Sequence, residues 1–228
     1  MPTTMPTLVT LQDPRSPVAE AFRTLRTNIL FAALDKPIQT LIVTSPAPDE
    51  GKSATIANLA VTMAQGGHAT ILVDADLRRP YQHTLWNLRN DTGFTSMLLD
   101  ESALTQPPLQ SVGVEKLSVL PSGPLPPNPA DMFSTRRMTE VLAALKGQAE
   151  FVLFDAPPVL AVTDTSLLAS QLDALLLVIK AGSTRRDHAL RAKEILQRAN
   201  IRIVGVALSN APRDGSMNSY YGSNGVKA

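Results

Sequence analysis

The sequence predicts an α/β fold on a mostly parallel central sheet. Three observations carry this: short continuous apolar runs recur along the chain, helical stretches separate them, and one strand-to-helix junction carries a Gly-Lys-Ser loop. The runs are residues 40–44, 70–73, 117–120, 151–154, 174–179 and 201–208. They lack the alternation of a half-buried strand, so helices are expected to cover both faces of the sheet. Helical stretches at residues 53–65, 131–145 and 185–198 complete βαβ units, whose crossovers are right-handed.

The elements follow in order. Residues 1–14 are rich in Pro and Thr and read as a flexible leader. Val18, Phe22, Leu25 and Ile29 then recur on one helical face ahead of the first strand. Residues 100–116 and 121–130 carry prolines and turn formers and read as surface connections. One folded domain is expected over residues 15–211, followed by a flexible Gly, Ser and Asn-rich tail at 212–228.

Composition narrows the class. A chain of 228 residues with 44% hydrophobic and 18% charged residues suits one folded domain. Its apolar runs fall far short of the roughly 20 residues a membrane helix needs, and its start does not read as a secretion signal, so a cytoplasmic location is expected. Without cysteine there is no disulfide or thiolate metal site, and His68, His83 and His188 are scattered and expected at the surface. A net charge of +1 gives no general attraction to nucleic acid.

The chemistry starts at residues 44–53. The strand TLIVT ends in SPAPDEGKS and runs straight into ATIANLAVTMAQ, the strand, loop and helix order of a phosphate cradle. This makes the fold a P-loop NTPase-like three-layer α/β/α sandwich. Pro48, Asp49, Glu50, Gly51, Lys52, Ser53 and Ala54 are expected around the nucleotide. Gly51 lets the backbone approach, Lys52 neutralises charge, and Ser53 offers a hydroxyl to Mg2+. Pro46 stands where the usual loop has its first glycine.

Asp74 and Asp76 close the second strand two residues apart, on one side of an extended chain, and Asp155 closes FVLFD in the form of a Walker B strand. Strand ends of a doubly wound sheet share one crevice, so all three aspartates should meet the loop. Ser53, Asp76 and Asp155 are the candidate Mg2+ ligands, leaving Asp74 for proton transfer. Asn210, just after the last strand, lies where related folds contact the base, and an asparagine there serves equally as a turn residue.

With these motifs in view, the chain from about Glu20 to Tyr221 resembles the bacterial tyrosine kinases of capsule and exopolysaccharide synthesis, the BY-kinase family. The loop S-x-x-P-x-x-G-K-S at residues 45–53 lacks the first glycine in that family too. V-D-x-D-x-R-x-P reads here at residues 73–80, with Arg78 and Pro80 in place, and the third motif matches at 151–158. The resemblance implies an ATP- and Mg2+-dependent protein-tyrosine kinase in which Lys52, Asp74 and Asp76 are catalytic.

It further implies that Glu20, Arg23 and Arg26 form the family's Glu-x-x-Arg-x-x-Arg oligomerisation motif, giving a homo-oligomeric ring. Tyr220 and Tyr221, two of the three tyrosines, would be the phosphorylated tail cluster. A membrane-anchored activator of the polysaccharide co-polymerase type and an opposing tyrosine phosphatase are the implied partners. The activator would bring the kinase to the inner face of the plasma membrane, either as a separate chain or as part of a longer one. The competing readings are a spatial switch similar to the Par and Min partition ATPases, and an ATP-binding scaffold with little kinase activity. Against the switch, residues 45–48 lack the extra lysine those ATPases carry.

Overall fold

A computed structural model describes residues 8–211; Tyr220 and Tyr221 lie outside them. Residues 8–12, within the leader expected to be flexible, are structured. Leu8 is buried and α1 (Val9–Gln12) is a helical turn, because Asn58 Oδ1 accepts both Thr10 N (3.1 Å) and Thr10 Oγ1 (2.8 Å). Helix α2 (Pro17–Asp35) begins at Ser16, whose Oγ accepts from Ala19 N, and Pro17 supplies the preset φ of the first helical position.

Strand β1 (Thr40–Thr44) leads through the loop into α3 (Lys52–Gln65), and β2 (Thr70–Asp74) follows. The next stretch holds the short helices α4 (Gln82–Leu85) and α5 (Phe94–Leu99), and residues 100–116, expected to be a surface connection, hold α6 (Ser102–Thr105) and a two-residue strand β3 (Gln110–Ser111) before β4 (Leu117–Leu120). The helix expected over 131–145 is two helices, α7 (Pro129–Phe133) and α8 (Arg136–Lys146). Thr135 breaks it: its backbone is extended and its hydroxyl donates to Met132 O, ending α7. The chain then runs β5 (Phe151–Asp155), α9 (Asp164–Ala169), β6 (Ala174–Lys180), α10 (Arg186–Arg198) and β7 (Ile203–Ser209).

The described strands form one sheet, ordered β3-β4-β2-β5-β1-β6-β7, parallel throughout except for β3 against β4. Side chains of β1 alternate between its two faces. Leu41 and Val43 pack with α2 and α3 through Ile29, Ile56 and Leu59, while Ile42 joins Phe94, Phe133 and Leu142 on the opposite side. Each fully buried aliphatic or aromatic side chain contributes about 1.5–3 kcal/mol, which is why two-sided burial holds the central strands so firmly. At the edge this fails: Val206 and Leu208 of β7 are exposed.

The histidines are half-buried, not at the open surface as expected. His68, for example, stacks edge-on against Phe151 and hydrogen-bonds Glu150. Among the described residues no helix is long and apolar enough to cross a membrane.

Candidate active site

The carboxyl ends of β1, β2 and β5 bring the predicted groups together. β2 pairs β5 with Asp74 directly beside Asp155, and β1 pairs β5 with Val43 beside Asp155. The loop after β1 therefore hangs over both carboxylates. Its turn uses two left-handed residues, Asp49 (φ 61°) and Gly51 (φ 86°). A Cβ on Gly51 would meet only Ser209 at an ordinary 3.5 Å, so the backbone angle, and not crowding, is what requires glycine there.

Glu50 is turned inward, with only 4% of its surface exposed. Its Oε1 accepts from Thr184 Oγ1 (2.6 Å), its Oε2 from Ala47 N (3.2 Å), and its carbonyl from Ser209 Oγ (2.7 Å). The Glu50 side chain thus braces the loop from within, so any contact it makes with a nucleotide comes from its backbone. Pro48, Asp49, Gly51 and Ala54 form the exposed crest.

Lys52 folds back over the aspartates. Its Nζ lies 2.9 Å from Asp76 Oδ2, 3.2 Å from Asp155 Oδ1 and 3.3 Å from Ser53 Oγ. Burial alone would lower the pKa of this ammonium, but the Asp155 and Asp76 carboxylates outweigh it and hold the pKa above the usual lysine range. Asp76 Oδ1 accepts from Arg79 N (3.0 Å), which fixes the turn after β2.

Asp74 is fully buried. Its Oδ2 accepts from Tyr81 N (2.9 Å) and Gln82 N (2.8 Å), and its Oδ1 has no hydrogen-bond partner among the described residues. Desolvation, reinforced by the Asp155 charge, pushes its carboxyl well above the ordinary carboxylate range, against the opposing effects of the Gln82 N–H and Lys52.

The donor set suits Mg2+. Ser53 Oγ, Asp76 Oδ2 and Asp155 Oδ1 are hard oxygen donors gathered on one point, where the Lys52 ammonium now supplies the positive charge. Among the described residues no group of three or more acidic or imidazole side chains forms a metal cage. A cation bound mainly to phosphate and water does not need one.

Two cavities meet at the loop. One of about 710 Å³ is lined by Lys52, Ser53, Asp76, Arg78, Tyr81 and Pro157, and one of about 1030 Å³ lies between α2 and the end of β7. Asn210 (φ 53°) lines the second with Phe22, Leu25 and Leu208, a largely apolar setting suited to a planar base.

The structure adds residues that the sequence did not single out. Asp164, buried at the start of α9, holds Arg78 through a bidentate pair at 2.7 and 3.0 Å. Gln82 bonds Asp155 and the Ser53 carbonyl. Neither had a legible signal in the sequence.

The predicted interface charges lie away from this site. Glu20 and Arg23 pair at 2.6 Å on the half-exposed surface of α2, and Arg23 also reaches Pro14 O. Arg26 instead donates to Thr62 O at 2.8 Å, tying α2 to the end of α3 within the chain.

No protein-family model matches the chain. Tyrosine-protein kinase YwqD of Bacillus subtilis (strain 168) is 40% identical over 220 residues, spanning 96% of this chain and 92% of the relative. Among solved structures, the chimerical protein CapA2B2 aligns with a TM-score of 0.86 and 38% identity, covering 90% of each chain. The kinase domain of the Escherichia coli tyrosine kinase ETK aligns with a TM-score of 0.88 and 29% identity, covering 95% of this chain and 84% of that one.

Proposed function

The chain belongs to the bacterial tyrosine-protein kinases, and from that premise we propose that it transfers the γ-phosphoryl group of ATP, with Mg2+, to tyrosines that include its own Tyr220 and Tyr221. The observation that carries the proposal is the meeting of Lys52, Ser53, Asp76 and Asp155 at one point beneath a phosphate loop, beside a buried carboxylate oxygen of Asp74 that has no hydrogen-bond partner among the described residues.

In this reading the loop backbone from Pro48 to Ala54 cradles the phosphates, and Lys52 leaves the aspartates to neutralise them. Ser53, Asp76 and Asp155 would hold Mg2+, which would supply positive charge to the phosphates. Asp74 takes the tyrosine hydroxyl proton as the phenolic oxygen bonds to phosphorus and the bond to the ADP oxygen breaks. Burial moves its carboxyl above the ordinary carboxylate range, the direction that strengthens a base. Asn210 and the apolar cavity beside it hold the adenine.

Incubation with ATP and Mg2+, followed by mass spectrometry, is expected to find phosphate on Tyr220 and Tyr221. A variant with both replaced by phenylalanine is expected to lose at least nine-tenths of the label, an order-of-magnitude effect if the tail is the main acceptor. ATP hydrolysis with an unlabelled tail, measured with the activating partner present, would favour the partition-type switch instead.

Assembly follows the same reading. Glu20 and Arg23 form part of a homo-oligomeric ring contact. As an intrachain pair they are worth only about 0.2–0.5 kcal/mol, so they are free to exchange partners. A Glu20→Ala, Arg23→Ala protein is expected to show a lower solution mass than wild type by light scattering, and an unchanged mass would remove these residues from the interface. Arg26 is a poorer probe, since its loss also loosens α2 from α3. The partners proposed are a membrane-anchored activator of the polysaccharide co-polymerase type and a tyrosine phosphatase. The setting is capsule or exopolysaccharide export at the cytoplasmic face of the plasma membrane.

A further inference from the structure

We propose that Gln82 is a positioning residue that fixes Asp155 and the start of α3 for phosphoryl transfer, and that the indole of Trp86 holds the Gln82 amide in its working orientation. The proposal rests on the kinase reading above.

Gln82 is fully buried. Its Nε2 donates to Asp155 Oδ2 at 2.8 Å and to Ser53 O at 3.1 Å, and its Oε1 accepts from Trp86 Nε1 at 3.1 Å. Both amide hydrogens and the amide oxygen are therefore engaged.

The arrangement permits one amide orientation. A flipped amide would set its oxygen against two acceptors, the Asp155 carboxylate and the Ser53 carbonyl, and its NH2 against an indole that can only donate. Trp86 is itself nearly sealed, at 3% exposure, so its N–H has no water to turn to.

The consequence reaches the reacting groups. With Oδ2 of Asp155 held by Gln82, Oδ1 is the oxygen presented to Lys52. The backbone N–H of the same residue donates to Asp74 Oδ2. One residue outside the recognised motifs thus sets Asp74 by its main chain and Asp155 by its side chain. A ligating carboxylate is ordinarily held by such an outer hydrogen bond, and losing it costs about 10–100-fold in metal affinity or activity.

Trp86 is the chain's one tryptophan, so its emission reports on this network without a label. The test uses the full chain, Mg2+ with ADP as the probe, and the variants Gln82→Met and Trp86→Phe. Gln82→Met keeps the side-chain volume nearly constant while removing the amide; Trp86→Phe removes the indole N–H and also leaves a smaller ring in a buried site. In wild type and in Gln82→Met, the indole emission is followed as Mg2+ is titrated at saturating ADP; binding to Trp86→Phe, which lacks the indole, is followed by calorimetry.

Gln82→Met is expected to shift the emission maximum, to raise the Mg2+ midpoint about 10–100-fold, and to lower kcat with KM for ATP nearly unchanged. Trp86→Phe is expected to give a smaller loss of the same kind. A Gln82→Met protein with wild-type Mg2+ midpoint and kcat would overturn the proposal. So would activity that falls only in step with the folded fraction, which would make Gln82 a packing residue. Failure of the kinase reading is distinguishable: wild type would then leave tyrosine unlabelled, while the Mg2+ midpoint would still test Gln82.

Discussion

Replacing Lys52 by methionine is expected to abolish tyrosine phosphorylation, with kcat reduced about 10³-fold, and at the same time to make stability depend on Mg2+. The first effect is the loss of a preorganised positive charge from phosphates whose charge redistributes in the transition state. The second follows from what the ammonium does now: its hydrogen bonds to Asp76 and Asp155, at 2.9 and 3.2 Å, are the direct compensation for two carboxylates that are nearly or fully buried. Removing one side of a buried ion pair costs about 3–5 kcal/mol, and each kcal/mol lowers Tm by about 2–4 °C in a chain of this size. Added Mg2+ is expected to restore more of the lost Tm in Lys52→Met than it adds to wild type. Thermal melts with and without Mg2+ check the stability arm, and phosphotyrosine yield checks the other. A Lys52→Met protein that still labels Tyr220 would remove Lys52 from the catalytic assignment.

Asp74→Asn is expected to act in opposite directions on activity and stability. As the proposed base, Asp74 accounts for about 10²–10⁴-fold in rate, and asparagine cannot take the tyrosine proton. The variant should also lose any rising limb in kcat against pH that reflects ionisation of Asp74. Stability moves the other way, because burial, aided by the Asp155 charge, raises the folded-state pKa of Asp74 while the unfolded value stays ordinary. As pH rises from the ordinary carboxylate range toward the raised value, the unfolded chain ionises freely and the native state does so only at a cost, so native stability falls. Asparagine escapes that penalty and can still accept from Tyr81 N and Gln82 N. A Tm about 2–4 °C above wild type at neutral pH is expected, with the difference shrinking toward pH 4. A lower Tm at neutral pH, or full activity, would contradict the assignment.

Much of the fold was legible because two-sided burial writes itself into local composition. FVLFD and ALLLVIK could hardly be anything but interior strands, and both are. Where burial is one-sided or the element is short, the signal fades. IVGVALS looks equally apolar but forms the exposed edge strand β7, and Gln110–Ser111 is too brief to leave a pattern.

The site divides along similar lines. Lys52, Ser53, Asp74, Asp76 and Asp155 could be read because strand ends converge in any such sheet. Asp164 could not, since it meets Arg78 from 86 positions away, and neither could the inward turn of Glu50, which depends on Thr184 and Ser209. Gln82 sits on a four-residue helix, too short to show a periodic face.

The fold-back of Lys52 also bears on ligand selectivity. An incoming molecule must draw the ammonium away from Asp76 and Asp155 before Lys52 can serve it. Adenine or a nucleoside could fill the apolar cavity beside α2, yet it brings no anion to attract Lys52 and no cation to leave with the carboxylates. A metal-bound polyphosphate brings both, so the resting ion pair discriminates against the uncharged fragments of the substrate.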